Sequence, residues 1–195
     1  GGIENTAAIK AELLQHTAAN AICVLNRDDA YVREMAGLVN GELVWFGTSP
    51  DAQYRAQNYE LDLSGTSFDL IWPDQSENRV KLQIIGEHHV MNALATAAVA
   101  DKLGVDRGHI VSALESLPLA ERWRMQLTER ADGVSIINDA YNASPDSTKA
   151  ALQTLAQLGR KSGRRTIAVI GEMAELGQFS IAEHDAIGRL AVRLN

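Results

Sequence analysis

One stretch of the sequence, residues 134–152, constrains the fold more than any other part of the chain. Residues 134–137 form a short β-branched run after the turn pair Asp132-Gly133, and such a run predicts a buried strand. Pro145 has the φ value of a first helical residue, and Ser144 before it can cap the helix, which is worth about 1 kcal/mol over alanine. The stretch therefore predicts a strand, a polar turn and a helix, which is the building unit of an α/β fold.

The polar turn of this stretch, residues 138–144, has two interpretations. In open α/β sheets, ligands bind outside the carboxyl ends of the strands, and Asp139 would lie at such an end. Asp139 and Asn142 could equally cap the turn through hydrogen bonds from side chain to backbone. The spacing of these residues leaves both interpretations open.

The composition of the whole chain argues against several classes of function. A net charge of -7 with both signs interspersed argues against nucleic acid or an anionic membrane as a partner. No apolar run approaches the roughly 20 residues that span a bilayer, and no signal peptide is visible. Cys23 is the only cysteine, so no internal disulfide can form. We therefore expect a soluble cytoplasmic protein, and because the sequence opens directly into one predicted helix and stops inside another, we expect an internal part of a longer chain.

The first part of the sequence predicts a domain with a mixed sheet. Asp28 and Asp29 follow its first strand; they could bind a metal, but helix N-capping explains them equally well, and we favour that structural interpretation. Period-two alternation between residues 43 and 84 predicts a small antiparallel sheet at the edge of the domain. The other predicted elements are helices over residues 7–17, 30–39 and 106–117, a strand over residues 21–25, and a helix that opens at residues 86–92.

We place a domain boundary near residues 118–122, so that residues 1–119 form one domain and residues 120–195 the next. In the second domain, residues 125–128 and 164–171 predict further strands, and a helix begins near Ile181. Gly171 and Gly177 give only a weak phosphate-loop signal. The pattern Gly-x-x-x-x-Gly-Lys-Ser/Thr, which would cradle a nucleotide phosphate, occurs nowhere in this chain.

The central stretch resembles a signature of the Mur ligase family. Asp139-Ala-Tyr-Asn-Ala-Ser-Pro-Asp-Ser147 matches the family's Asp-x-Tyr-Asn-Ala-Asn-Pro-x-Ser, with Ser144 in place of Asn. Sister ligases more often carry an Ala-His pair where Tyr141 and Asn142 stand. The sequence therefore looks most like the branch of the family that adds D-alanyl-D-alanine to UDP-N-acetylmuramoyl-tripeptide.

Other segments resemble the family's motifs in the family's order. Lys10-Ala-Glu-Leu13 matches the family segment that carries a carbamylated lysine, and Gly86-Glu-His-His-Val-Met-Asn92 matches Gly-x-His-Asn-x-x-Asn, with His89 in place of the first Asn. Arg124 matches the Arg of a Gly-Arg pair, with Trp123 in place of Gly. Gly171-Glu-Met-Ala-Glu-Leu-Gly177 is similar to Gly-Asp-Met-x-Glu-Leu-Gly, and His184 follows it as a His does in the family.

The resemblance implies a fold and an activity. The implied fold is α/β: the second half of a central ATPase domain, with a mixed sheet and a small antiparallel edge sheet, followed by the first half of a C-terminal Rossmann-like domain. The implied enzyme is a monomeric ATP-dependent ligase that joins D-alanyl-D-alanine to UDP-N-acetylmuramoyl-tripeptide through an acyl-phosphate. Without the phosphate loop, we expect the 195-residue chain itself to be inactive.

The resemblance also implies roles for individual residues. Lys10, carbamylated, would be a catalytic ligand to Mg²⁺, because carbamylation turns the amine into the oxygen ligand that Mg²⁺ requires. Without the resemblance, Lys10 reads as an ordinary surface lysine. The residues implied to bind ATP are His89, Asn92, Arg124, Asp139, Tyr141 and Asn142.

Two alternatives remain beside this interpretation. The first is another ligase of the superfamily, such as folylpolyglutamate synthase or the diaminopimelate- or lysine-adding Mur ligase, against which Tyr141 and Asn142 argue. The second is a protein of a different class, a non-catalytic nucleotide-binding module. Nucleotide hydrolysis would separate an enzyme from such a module.

Overall fold

A computed structural model describes residues 2–117 and 123–194 of the chain. The chain divides into two compact units, one made of Gly1–Tyr59, Ser67–Lys81 and His89–Ser116, and the other of Glu60–Thr66, Leu82–His88 and Leu117–Asn195. The predicted domain boundary at residues 118–122 lies outside the described residues. None of the described helices is long and apolar enough to cross a membrane.

A five-stranded mixed sheet runs through the first part of the chain. Its strands are β1 (Ile22–Asn26), β2 (Glu42–Gly47), β3 (Tyr54–Asp62), β4 (Gly65–Ile71) and β5 (Glu77–Leu82), in that spatial order. The pairs β1–β2 and β2–β3 are parallel. Only two residues connect β3 to β4, a length that permits only an antiparallel pair. The predicted antiparallel strands therefore continue the parallel ones in a single sheet.

The helices of this part are α1 (Ile3–Gln15), α2 (Ala30–Glu34), α3 (His88–Lys102) and α4 (Arg107–Ser116), and a 3-10 turn, Met35–Leu38, follows α2. The core of the first unit is built from large side chains of the sheet together with α3. Tyr54 and Trp72 are fully buried and meet edge to face, with ring centroids 6.1 Å apart. On α3 the buried residues include Val90, Leu94 and Ala97, the spacing of one helical face.

The second unit contains a two-stranded antiparallel sheet and two helices. Strand β6 (Gln126–Glu129) pairs with β7 (Ser135–Asn138), and helix α5 (Pro145–Ser162) packs against α6 (Ser180–Leu194). Two small apolar clusters stabilise this unit. One is centred on Ile85, Met125 and Leu158, and the other on Leu152, Met173 and Ile187.

The start of α5 agrees with the sequence prediction in detail. Ser144 accepts a hydrogen bond from the backbone N–H of Ser147, and the Ser147 hydroxyl accepts one in return from the backbone N–H of Ser144. Pro145 is the first helical residue. The helix ends at Gly163, which adopts the left-handed conformation with φ of 67°.

Two expectations for the strands of this unit are wrong. Strand β7 was expected to be buried on both faces, but Val134 before it is 51% exposed and Ile136 is 44% exposed. The reason is that β7 forms an antiparallel hairpin with β6, in which Ile137 packs into the apolar cluster and alternate residues face outward. Residues 164–171 are not a strand: Ile167 is 69% exposed and Val169 is 95% exposed, and within the described part of the chain no strand pairs with them.

Candidate functional site

The predicted metal ligand Lys10 lies on helix α1 and is exposed to solvent. Among the described residues, no cluster of three or more His, Cys, Asp or Glu side chains is suited to hold a metal ion. The role of Lys10 as a carbamylated ligand to Mg²⁺ stays a prediction. One carboxylate-like group with water and nucleotide phosphate oxygens is a common way of binding Mg²⁺.

Asp29 has the capping role that we favoured, whereas Asp28 has a different structural role. Asp29 caps α2 by accepting a hydrogen bond from the backbone N–H of Val32 at 2.9 Å. The Asp28 carboxylate accepts four hydrogen bonds of 2.6–3.0 Å, from the backbone N–H and the hydroxyl of both Thr48 and Ser49. Burial by itself raises the pKa of Asp28, but these hydrogen bonds, with the Ser49 hydroxyl first, outweigh burial and leave the pKa below its ordinary value.

The two predicted nucleotide-binding residues of α3, His89 and Asn92, lie near the start of that helix. They are three residues apart, so they share one side of the helix, and Asn92 is exposed while His89 is partly buried. The Asn92 backbone carbonyl accepts a hydrogen bond from the Thr96 hydroxyl at 2.8 Å. Lys10 is on a different helix, α1.

The polar turn between β7 and α5 contains both capping contacts and a longer-range one. Asn138 accepts a hydrogen bond from the backbone N–H of Ala140 at 3.2 Å, and Asn142 accepts one from that of Ala143 at 2.9 Å. Asp139 instead reaches outside the turn, where its Oδ1 accepts a hydrogen bond from the backbone N–H of Met125 at 3.0 Å. The capping interpretation therefore holds for Asn142, whereas Asp139 fastens a different segment of the chain.

That segment, residues 123–125, is held to the turn on both sides of Arg124. In addition to the bond between Met125 and Asp139, the backbone N–H of Tyr141 donates to the carbonyl of Trp123 at 3.1 Å. The Arg124 guanidinium carbon lies 4.4 Å from the centroid of the Tyr141 ring, well within the range of a cation–π interaction. The structure thus brings together three predicted site residues, Arg124, Asp139 and Tyr141.

The backbone around Arg124 is strained. Trp123 and Met125 have φ values of 69° and 47°, in the left-handed region that costs a residue other than glycine about 1–2 kcal/mol. Met125 is buried, and its side chain belongs to the apolar cluster of the second unit. Such strain persists only where surrounding contacts impose it, and it is common at ligand sites. It also explains the glycine in the family's Gly-Arg pair, because Trp123 occupies the position where glycine would be unstrained.

His88 lies close enough to this cluster to sense its charge, which the sequence did not predict. Removal of water from around its ring lowers the pKa of His88, and the negative charge of Asp139 acts in the opposite direction. The segment Gly86-Glu-His88 matches the family pattern, but nothing in the spacing of residues 88 and 139 indicates that the two lie near each other.

The loop of residues 171–177 is fastened by His184, a second contact that the sequence did not predict. The Nδ1 of His184 bonds to the carbonyl of Ser180 at 2.7 Å, and its Nε2 bonds to the backbone N–H of Met173 at 3.0 Å. A carbonyl can only accept and a backbone N–H can only donate, so the ring is neutral with its proton on Nδ1. Met173 itself is buried against Leu152 and Ile187.

Two family models match the chain, and together they cover most of it. The model described as the Mur ligase middle domain matches residues 1–100, and the model described as the Mur ligase, glutamate ligase domain matches residues 123–194.

Individual proteins align with nearly the whole chain. A UDP-N-acetylmuramoyl-tripeptide--D-alanyl-D-alanine ligase of Mycobacterium bovis is 44% identical over 198 residues, covering 100% of this chain and 39% of the relative. The crystal structure of MurF from Acinetobacter baumannii has a TM-score of 0.87 at 30% identity. This match covers 98% of the present chain and 41% of the Acinetobacter baumannii chain. The crystal structure of the MurF ligase of Thermotoga maritima in complex with ADP has a TM-score of 0.79 at 25% identity. This match covers 97% of the present chain and 42% of the Thermotoga maritima chain. The chain thus spans about two fifths of the length of these proteins.

Proposed function

Because the chain belongs to the Mur ligase family, we propose that it is part of a cytoplasmic, ATP-dependent ligase that adds D-alanyl-D-alanine to UDP-N-acetylmuramoyl-tripeptide, in the synthesis of peptidoglycan precursors. The choice of substrates is supported by the relatives whose names state them and which align with the full chain. A bound nucleotide is supported by the related structure that holds ADP. The observation on which the proposal depends most is the cluster of Arg124, Asp139 and Tyr141 at the carboxyl end of β7.

The proposed reaction proceeds in two steps. ATP phosphorylates the terminal carboxylate of the tripeptide, giving an acyl-phosphate and ADP. The amine of D-alanyl-D-alanine then attacks the acyl carbon, and the tetrahedral species that forms loses inorganic phosphate and a proton to leave the amide. The first step places negative charge on the transferring phosphoryl group, and the second places it on the oxygen of the tetrahedral carbon and on the departing phosphate, so positive groups must lie against these oxygens.

Residues of this chain supply two kinds of nucleotide contact in this proposal. Arg124 binds a phosphate through the N–H groups of its planar guanidinium, a geometry suited to paired oxygens. Asp139 accepts from the ribose hydroxyls through Oδ2, because its Oδ1 is already bonded to Met125. The ligand and structural interpretations of Asp139 are therefore compatible, one for each carboxylate oxygen. His89, Asn92 and Asn142 keep the nucleotide-binding role that the family resemblance implies for each of them.

Mg²⁺ would neutralise phosphate charge when bound, and carbamylated Lys10 would be one of its ligands. We expect Lys10→Ala to remove most activity of the ligase that contains this chain, and added short-chain carboxylates to restore part of it. Lys81→Ala is the matched control, because Lys81 is also exposed but lies on strand β5. Full activity in the Lys10 variant would make Lys10 an ordinary surface lysine.

The nucleotide role of the cluster is tested by Arg124→Gln. A hydrogen bond to a charged group is worth about 1.5–3 kcal/mol, so the KM for ATP should rise about tenfold to a hundredfold. Arg193→Gln is the control, because Arg193 is an exposed arginine at the end of α6. An unchanged KM for ATP would remove Arg124 from the site. ATP binding without any turnover by the complete protein would favour the non-catalytic module instead.

A further inference from the structure

We propose that Tyr141 is a positioning residue, whose ring holds the Arg124 guanidinium in place so that Arg124, and not Tyr141, contacts the nucleotide. The inference rests on the proposed function in one respect, namely that Arg124 binds phosphate. It changes the role that the family resemblance implies for Tyr141, from a ligand of the nucleotide to a residue that acts through its neighbour.

The interaction between the two side chains is compatible with a bound phosphate. The guanidinium carbon lies 4.4 Å from the ring centroid, and attraction at this distance uses the positive charge and the face of the ring. Phosphate binding uses the N–H groups at the edge of the guanidinium plane. Arg124 can therefore lie on Tyr141 and present N–H groups to a phosphate at the same time.

The backbone contacts show that the pair is built into the fold and does not depend on the two side chains alone. Tyr141 N–H donates to the carbonyl of Trp123, and Met125 N–H donates to Asp139, so the residues before and after Arg124 are both fastened to the turn. Both flanking residues adopt left-handed conformations, which fix the direction in which the Arg124 side chain leaves the backbone.

The ring of Tyr141 reduces the cost of ordering that side chain. An arginine side chain loses much rotamer freedom when it binds a ligand, and holding it beforehand lowers this loss. Tyr141 is 58% exposed, so its contribution is that of a cation–π pair in contact with water. Removing the ring should therefore weaken nucleotide binding about twofold to fivefold, less than the loss of Arg124 itself.

A double-mutant cycle in the ligase that contains this chain tests the inference, with ADP as the titrated probe. Tyr141→Leu should weaken ADP binding about twofold to fivefold, and Tyr141→Phe, which keeps the ring, should restore it to the wild-type level. In combination with Arg124→Gln, Tyr141→Leu should cause no further loss, because its effect passes through Arg124. If the two losses simply multiply, Tyr141 contacts the nucleotide by itself and the inference is overturned.

The pairing can also be measured without any nucleotide. In NMR spectra of the 195-residue chain, the Arg124 side-chain protons should be shifted upfield by the ring current of Tyr141. The shift should persist in Tyr141→Phe and disappear in Tyr141→Leu. If the shift is absent from the wild-type chain, the inference fails. If it is present but Arg124→Gln binds ADP normally, the proposed phosphate role fails, and Tyr141 then positions an arginine that is not a ligand.

Discussion

Replacing Asp139 by alanine should destabilise the fold as well as the proposed nucleotide site. The Asp139 Oδ1 accepts the backbone N–H of Met125 at 3.0 Å, and Met125 is only 3% exposed, so water cannot easily replace the lost acceptor. A hydrogen bond to a charged group is worth about 1.5–3 kcal/mol. For a chain of this size, each kcal/mol lost from the free energy of unfolding lowers the Tm by about 2–4 °C. Asp139→Ala should therefore lower the Tm by about 3–12 °C.

Two variants and one exchange measurement make this prediction specific. Asp139→Asn keeps a neutral acceptor, whose bond is worth about 0.5–1.5 kcal/mol, and should retain a substantial part of the stability. Asp185→Ala, which removes an exposed carboxylate paired with Arg189, should leave the Tm close to the wild-type value. Amide exchange at Met125 should accelerate only in the Asp139 variants. Wild-type melting and wild-type exchange at Met125 in Asp139→Ala would refute the structural role of this carboxylate.

Three further predictions follow from other parts of the chain. Trp123→Gly should be more stable than Trp123→Ala by about 1 kcal/mol in urea unfolding, because the φ of 69° strains alanine but not glycine; the reverse order would contradict the strain. Hydrogen bonds from Ser76, then Arg107, lower the pKa of Asp74 to about 2 from 3.8, so its stabilising effect is complete above pH 3.8 and is lost as the pH falls towards 2. The free energies of unfolding of the wild type and of Asp74→Asn should accordingly converge as the pH falls towards 2. A difference between them that stays constant with pH would exclude this effect of Asp74. Phosphate release from ATP by the 195-residue chain should stay at the uncatalysed level, and turnover near the usual enzyme range of about 1–1,000 per second would overturn that expectation.

Features set by a few neighbouring residues were predictable from the sequence. Ser144 and Pro145 predicted where α5 begins because an N-cap and a first-turn proline act on the backbone within three residues. Asp29 was likewise predictable as a cap, since its partner Val32 is three residues away. The bounds of α1 were less accurate: the helix begins at Ile3 and not at residue 7, because no capping side chain marks its start.

Features that depend on distant partners were not predictable in the same way. Residues 164–171 have the composition of a strand, but a strand exists only if another strand pairs with it, and composition carries no information about the partner. The bond from Asp139 to Met125 joins residues 14 apart, and the pairing of Arg124 with Tyr141 joins residues 17 apart in sequence. One signal was available: Trp123 stands where the family carries glycine, and that difference pointed to a left-handed backbone.

The segment of residues 166–170 has a consequence for how the chain behaves in solution. Four of its five residues, Thr166, Ile167, Val169 and Ile170, have high β propensity, the segment contains no proline, and its three large apolar side chains are exposed, which is typical of segments that initiate intermolecular β-sheet aggregation. Arg164 and Arg165 stand immediately before the segment, and charged residues in that position act as gatekeepers that repel neighbouring copies. Neutralising both arginines would remove this electrostatic protection while leaving the helices on either side unchanged.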